Sequence, residues 1–419
     1  RNSTPADGDA AARSRWDARG IDGLRCDFGQ GLPPRCWEYI INRAKSVKWN
    51  FVFMSESLDG GAVTYRSGRQ FDVLNENLVF AVKGAGSHSA LAAAYEERRT
   101  AYGQGLVLLN TTSHDEQNYA DPWAAVARFA ANATMDGAPM VFHGQELGLQ
   151  EFKGFDLMEV NFSKYIPHFK TYNSMMPLWS DTNFWNDQLA TAYGDLNAAR
   201  SASPALRSSH RWFLPGSNSQ VYGVVKYEQE GVPAVEQDVV MAFVNLDLAN
   251  DQGDSYAIPD LLAARIGLDD ARLYNVRNIA AYERPPTVTG RKNALLWPTP
   301  MTGTELRTSG FAVSLNQVPA SVGDWDTVPY EAQYLRLIDV TPIAPFRVTS
   351  IALVGPDVEV TCQTEAGRWY HLETGTDLTG WTTVVGNVRA TGPSLVMTHA
   401  GGAGDLMRYY RVAASADSL

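Results

Sequence analysis

Four carboxylates, Asp27, Glu56, Asp115 and Glu146, each stand at or just past the end of a short β-rich run, and they are separated by 29, 59 and 31 positions. One strand-helix unit of a (β/α)8 barrel spends roughly 31 residues, so the four lie one, two and one units apart. That spacing gathers them at the C-terminal mouth of one barrel, where charged groups just past buried strands read as catalytic acids, bases or nucleophiles. The competing role for any single one is a helix N-cap, since an Asp after a strand often opens the next helix.

The elements that must hold these groups follow from the hydropathy pattern. Short β-rich runs cover 21–28, 50–55, 70–74, 106–110 and 139–143, and helical stretches over 35–47, 89–102, 123–135 and 189–200 lie among and after them. Strand and helix in this rhythm predict a parallel sheet. Phe51-Val52-Phe53-Met54 is apolar on both sides of the pleat, as in a strand buried on both faces. Near Arg211 the rhythm changes to short strands, 221–227, 239–245, 310–316 and 332–340, with a short helix over 259–265. Thr341-Pro342-Ile343-Ala344-Pro345 then stops any strand. The last 74 residues alternate strands at short spacing, 346–354, 358–363, 369–374, 382–385 and 409–413, the pattern of a small β-sandwich. The expected domains are 1–210, 211–342 and 346–419.

Composition bounds the partners. The 419 residues carry a net charge of −11, and no Lys/Arg cluster exceeds a pair, so neither nucleic acid nor an anionic membrane surface is an expected partner. With 45% hydrophobic and 19% charged residues the chain can bury a sizeable core. No stretch approaches the roughly 18 apolar residues of a membrane span. Cys26, Cys36 and Cys362 lack the spacing of a zinc site and define no disulfide framework. Gly84-x-Gly86 lacks the third glycine of a dinucleotide loop, and 247–254 departs from the EF-hand pattern and reads as a solvated loop.

The local sequences point to a family. Gly23-Leu24-Arg25-Cys26-Asp27 resembles the fourth-strand signature of the α-amylase family of glycoside hydrolases, and Phe53-Met54-Ser55-Glu56 resembles its fifth-strand segment. Ser113-His114-Asp115 is similar to the His-Asp pair after strand seven, and Gly137-Ala138-Pro139-Met140-Val141-Phe142-His143-Gly144-Gln145-Glu146 to the eighth-strand segment. Each motif alone is weak; four in the family's order, over about the first 210 residues, are specific. The resemblance implies a partial (β/α)8 barrel of about strands four to eight, then the antiparallel β domain, with Val244-Asn245-Leu246, that follows the barrel in this family, then an appended β-sandwich.

It further implies a retaining enzyme on starch-like α-glucans or maltooligosaccharides, with Asp27 as nucleophile, Glu56 as acid/base and Asp115 as transition-state stabiliser. Arg25, on the same strand face as Asp27, would hold that carboxylate ionised. Glu56 must stay protonated, and the charge of Asp115 can provide for that. His114 would hydrogen-bond the same sugar. Gln30 and Gly31 replace the Lys-His of many starch-cleaving members, so the acceptor side of the cleft differs. Phe28 and Trp37 are candidates for sugar stacking or core. Glu146 reads as shaping its loop, and His88 and His143 as structural.

Only 20 residues precede 21–28, whereas three further units need about 90. Together with the start at Arg1, this leads to the expectation of a C-terminal fragment of a secreted or periplasmic bacterial member, inactive or poorly soluble alone. Its chemistry needs no cofactor, and a structural calcium would belong to the preceding part. The expected partner is the glucan, with the chain a monomer. The C-terminal module, with Trp369 and Trp381, reads as a spacer or attachment module or as a carbohydrate binder. A non-catalytic binding or scaffold protein and a glycosyl-transferring relative are the alternative functions.

Overall fold

The computed structural model describes residues 20–56, 71–75, 78–113, 122–142, 144–147, 186–247, 250–280, 295–315, 332–404 and 407–417. In the first part, strands β1 (Gly23–Cys26), β2 (Val52–Glu56), β3 (Val73–Asn75), β4 (Leu106–Asn110) and β5 (Gly137–Met140) pair in chain order, every pair parallel. Around them lie helices α1 (Pro34–Lys45), α2 (Leu78–Gly84), α3 (His88–Tyr102), α4 (Pro122–Asn132), α5 (Asn186–Ala202) and the single turn α6 (Pro204–Arg207). Parallel neighbours in chain order need crossover connections; α1 follows β1, α2 and α3 follow β3, and α4 follows β4.

Local chemistry sets the boundaries. Pro34 opens α1, where a missing N–H costs nothing. The Ser87 hydroxyl caps α3 by accepting from Ala90 N. β5 starts at Gly137, two residues earlier than the hydropathy suggests, and its Pro139 is tolerated because β5 pairs with β4 alone. Helix α2, Leu-Val-Phe-Ala-Val-Lys-Gly, has a strand-like composition and was not legible as a helix. Every residue of α4 is buried, as befits a helix packed on all sides. One continuous core runs from Phe53, Leu74 and Leu109 through Trp123 and Phe129 to Tyr222, Val244 and Tyr334. The parallel sheet and the following β domain are therefore cemented together.

That β domain contains β6 (Arg211–Phe213), β7 (Val221–Tyr227), β8 (Val239–Asn245), β9 (Gln252–Tyr256), β10 (Leu273–Asn278), β11 (Met301–Thr302), β12 (Phe311–Leu315) and β13 (Ala332–Asp339), with helices α7 (Asp260–Arg265) and α8 (Gly303–Thr308). An antiparallel sheet is ordered β11-β10-β13-β8-β7-β6, and β9 pairs with β12. The stretch read as a solvated loop over 247–254 is corrected at its end: Gln252, Gly253 and Asp254 are ladder residues of β9, held by pairing with the apolar β12. His88 is structural, buried between the two parts, where its Nδ1 accepts from Gly223 N; burial pushes its pKa down.

Beyond the proline-rich linker, β14 (Val348–Val354), β15 (Asp357–Gln363), β16 (Trp369–Gly375), β17 (Thr382–Arg389), β18 (Ser394–His399) and β19 (Tyr409–Ser415) form two three-stranded antiparallel sheets. Val358, Val360, Cys362, Tyr370, Leu372 and Met397 fill the space between them. This sandwich is locked to the β domain by Arg368, which is fully buried. Its Nη2 donates to Asp339 Oδ1 at 3.1 Å and to the Thr341 carbonyl at 2.8 Å. Arg272 donates to Asp339 Oδ2 at 2.6 Å and to Glu365 Oε1 at 2.6 Å.

The opposite end of the molecule is unlike this packed junction. Among the described residues β1 is hydrogen-bonded to β2 alone, and Ile21, Leu24, Leu32, Tyr39, Ile40, Val47, Trp49 and Val52 are exposed around it. Among the described residues no helix is long and apolar enough to cross a membrane.

Candidate active site

The site grows from the ends of β1 and β2. Their register pairs Arg25 with Met54 and Cys26 with Ser55, so Asp27 emerges beside Glu56. The chain then turns back on itself. Phe28 adopts the left-handed conformation at φ 46°, a region that costs a non-glycine residue about 1–2 kcal/mol. A short 3-10 turn follows, Gly29–Gly31. Gly29 packs so closely on β2 that a Cβ there would lie 1.9 Å from Ser55 Oγ. Trp37 pins the same turn by donating from Nε1 to the Gly29 carbonyl at 2.7 Å.

This fold-back creates the central contact set. Arg25 Nη1 donates to Asp27 Oδ1, while Arg25 Nη2 lies 3.0 Å from Glu56 Oε1. Phe28 N donates to Glu56 Oε2 at 3.0 Å. One guanidinium therefore joins both carboxyl groups. Their surroundings differ: the Asp27 side chain is 78% exposed and that of Glu56 only 11%. An open carboxylate beside a sheltered one is the division of labour a nucleophile and a proton carrier require.

The remaining residues singled out from sequence fall as follows. Phe28 is 60% exposed and available to a ligand, whereas Trp37 is buried and stacks edge-on against Phe71 at 5.1 Å, a core residue. Gln30 Oε1 is buried and has no hydrogen-bond partner among the described residues. Glu146 Oε2 accepts from Gly144 N at 2.9 Å and shapes its own loop. His114, Asp115 and His143 lie outside the described residues. Among the described residues no three His, Cys, Asp or Glu side chains gather as a metal cluster.

Sequence reasoning missed Gln145. Its Nε2 donates to Thr111 Oγ1 at 2.6 Å and to Tyr193 OH at 2.7 Å, and its Oε1 accepts from Phe142 N. It ties the loop after β5 to the end of β4 and to α5, bracing the far side of the strand-end face. Its place directly before Glu146 in the quoted eighth-strand segment was the available signal.

The described residues thus form a parallel sheet with carboxylates at its strand ends, followed by an antiparallel domain. No protein-family model matches the chain. A curated relative, the α-amylase MalA of Haloarcula japonica, is 28% identical over 137 residues, which is 30% of this chain and 20% of that protein. Among solved structures, the α-amylase from Geobacillus thermoleovorans complexed with acarbose superposes with a TM-score of 0.50 at 15% identity, covering 77% of this chain and 61% of that one. The α-amylase from H. orenii gives 0.49 at 14% identity, over 78% and 63%. The matched stretch spans a fifth of the curated relative, and the chain spans about three-fifths of each of these two enzymes. A stretch of the sequence is thus similar to an α-amylase, and the fold is similar to that of a solved α-amylase.

Proposed function

We propose that this chain carries the catalytic half of a retaining glycoside hydrolase acting on α-glucans or maltooligosaccharides. In this reading β1 to β5 are the fourth to eighth strands of the barrel. The observation that carries it is the bracketing of Asp27 and Glu56 by the single guanidinium of Arg25. Asp27 attacks the anomeric carbon as the glycosidic bond breaks, and Glu56 passes its proton to the departing oxygen. Water then attacks the glycosyl ester while Glu56 takes the water's proton back. Asp115 and His114 steady the charged sugar ring, and Phe28 and Gln30 meet its neighbour on the acceptor side.

Arg25 has two functions in this scheme. It pairs with Asp27, the nucleophile, and its contact with Glu56 has to open before that carboxyl can carry the proton it donates. The stereochemistry tests the mechanism: a protein with the complete barrel is given a maltooligosaccharide, and the first-formed anomer is read by NMR. The α-anomer is expected, and its loss on Asp27→Asn with binding retained. A β-anomer as first product would sink the assignment.

A further inference from the structure

A cleft of about 410 Å³ lies where α5–α6, the β domain and the C-terminal sandwich meet, away from the strand ends that carry Asp27 and Glu56. Its walls include Glu228, Gln237, Asp238 and Arg336 of the β domain, and Trp369 and Arg389 of the sandwich. The cleft is built rather than accidental. Gly367, in the left-handed region at φ +84°, lets the sandwich press onto the Val235 carbonyl, where a Cβ would lie 2.2 Å from that oxygen. Arg389 Nη2 donates to the same carbonyl at 2.7 Å, and its guanidinium stands 5.9 Å from the Trp369 ring centre. Arg336 Nε donates to Asp238 Oδ1 at 2.9 Å. The buried Arg368–Asp339 pair holds both walls in place.

The chemistry of the lining selects a ligand. Guanidinium and carboxylate groups both face the cleft, so neither a strongly anionic nor a strongly cationic molecule is favoured. One indole together with donors and acceptors suits a neutral polyhydroxylated ring, its C–H face on the aromatic and its hydroxyls on the charged groups. The volume is near the lower end of ligand pockets, about 300–1,000 Å³, enough for one or two sugar residues. We propose that this interdomain cleft binds the end of a neutral oligosaccharide, giving the C-terminal module a part in carbohydrate binding shared with the β domain. The choice of an α-glucan as that oligosaccharide rests on the proposed function.

The test is a calorimetric titration of the 419-residue chain with maltotriose and, separately, cellotriose. Saturable binding is expected, weakened at least tenfold in Trp369→Ala and restored in Trp369→Phe. Binding of cellotriose alone, lost in Trp369→Ala, keeps the cleft as a sugar site and counts against the glucan reading. No saturable binding of either sugar, or equal binding in Trp369→Ala, overturns the proposal.

Discussion

Arg25 and Glu56, on neighbouring parallel strands, meet at 3.0 Å between Nη2 and Oε1, and the same guanidinium also holds Asp27. The contact depends on a planar fork with donors on two sides, which a lysine ammonium does not reproduce. On the proposed function, Arg25→Lys is expected to lower kcat/KM by about 10- to 100-fold, the equivalent of one hydrogen bond to a charged group at roughly 1.5–3 kcal/mol. Glu56→Gln should cost about 10²–10⁴-fold, the usual range for removing a general acid. Steady-state kinetics on a maltooligosaccharide check both; unchanged rates in either variant would remove that residue from the mechanism.

The turn after β1 offers a steric test. Adding a methyl at Gly29 drives it into Ser55 Oγ, and the loop carrying Asp27 and Phe28 must move. A displacement near 1 Å at a reacting group costs about 10²-fold in rate. Gly29→Ala is expected to lose activity on that scale, and the double variant Gly29→Ala/Ser55→Ala to regain part of it because the hydroxyl is gone. Equal rates in the single and double variants would show that the Gly29–Ser55 contact does not position the site.

Lys226 makes a pH prediction. It is fully buried on β7, its Nζ donates to the Ser208 carbonyl at 2.7 Å, and burial pushes its pKa down to about 7 against 10.5 in the unfolded chain. Asp136 and Glu96 oppose that shift, while Arg211 and Arg200 add to it. Between these values the folded protein binds fewer protons than the unfolded one, so this residue makes stability rise with pH by up to about 1.4 kcal/mol per unit. Below about pH 7 both states are charged and the contribution levels off. Replacing Lys226 by Met should remove that rise; Tm measured from pH 6.5 to 9.5 in both proteins reads it, and parallel curves would refute the assignment.

The junction at Arg368 predicts strong coupling. Deleting one partner of a buried ion pair costs up to about 3–5 kcal/mol, and less here because Arg272 still holds Asp339 Oδ2 at 2.6 Å. Arg368→Met is expected to loosen the sandwich from the β domain, lowering Tm and opening the proline-rich linker to protease. Arg368→Met/Asp339→Asn should be milder than the sum of the single changes. Additive effects by calorimetry would mean that the two groups act separately.

The uncovered edge at β1 predicts association. Leu24, Tyr39, Ile40 and Trp49 are exposed apolar side chains beside an edge of β1 that pairs with no other described strand. The 419-residue chain is expected to self-associate in light scattering, and Leu24→Lys/Ile40→Lys to lower the apparent mass. A monodisperse parent chain at tens of micromolar would rule this out.

Much of this protein is legible in its residues. β7 and β8 have the bounds read from their apolar runs, because Val-Val-Met-Ala-Phe-Val is buried on both faces and needs no partner to declare itself. β9 was illegible because Gln-Gly-Asp-Ser-Tyr becomes a strand only through pairing with β12. β18 was likewise not distinguished, its residues half covered and held by β15. Asp27 and Glu56 could be picked out by motif and spacing, since a repeating βα unit sets how far apart strand ends fall. Arg25 could be placed on the face of Asp27, but its second contact with Glu56 could not.

By itself the sequence determined the apolar runs that become β2, β4, β7 and β8 and the residue types standing at the ends of β1 and β2, which follow from local periodicity and spacing. The tertiary structure decided which groups touch. The β1–β2 register and the approach allowed by Gly29 bring Arg25 and the Phe28 amide to Glu56. The burial of Arg368 against Asp339 makes the appended sandwich a fixed wall of a cleft. Such contacts join residues far apart in the chain through packing, and no local pattern encodes them.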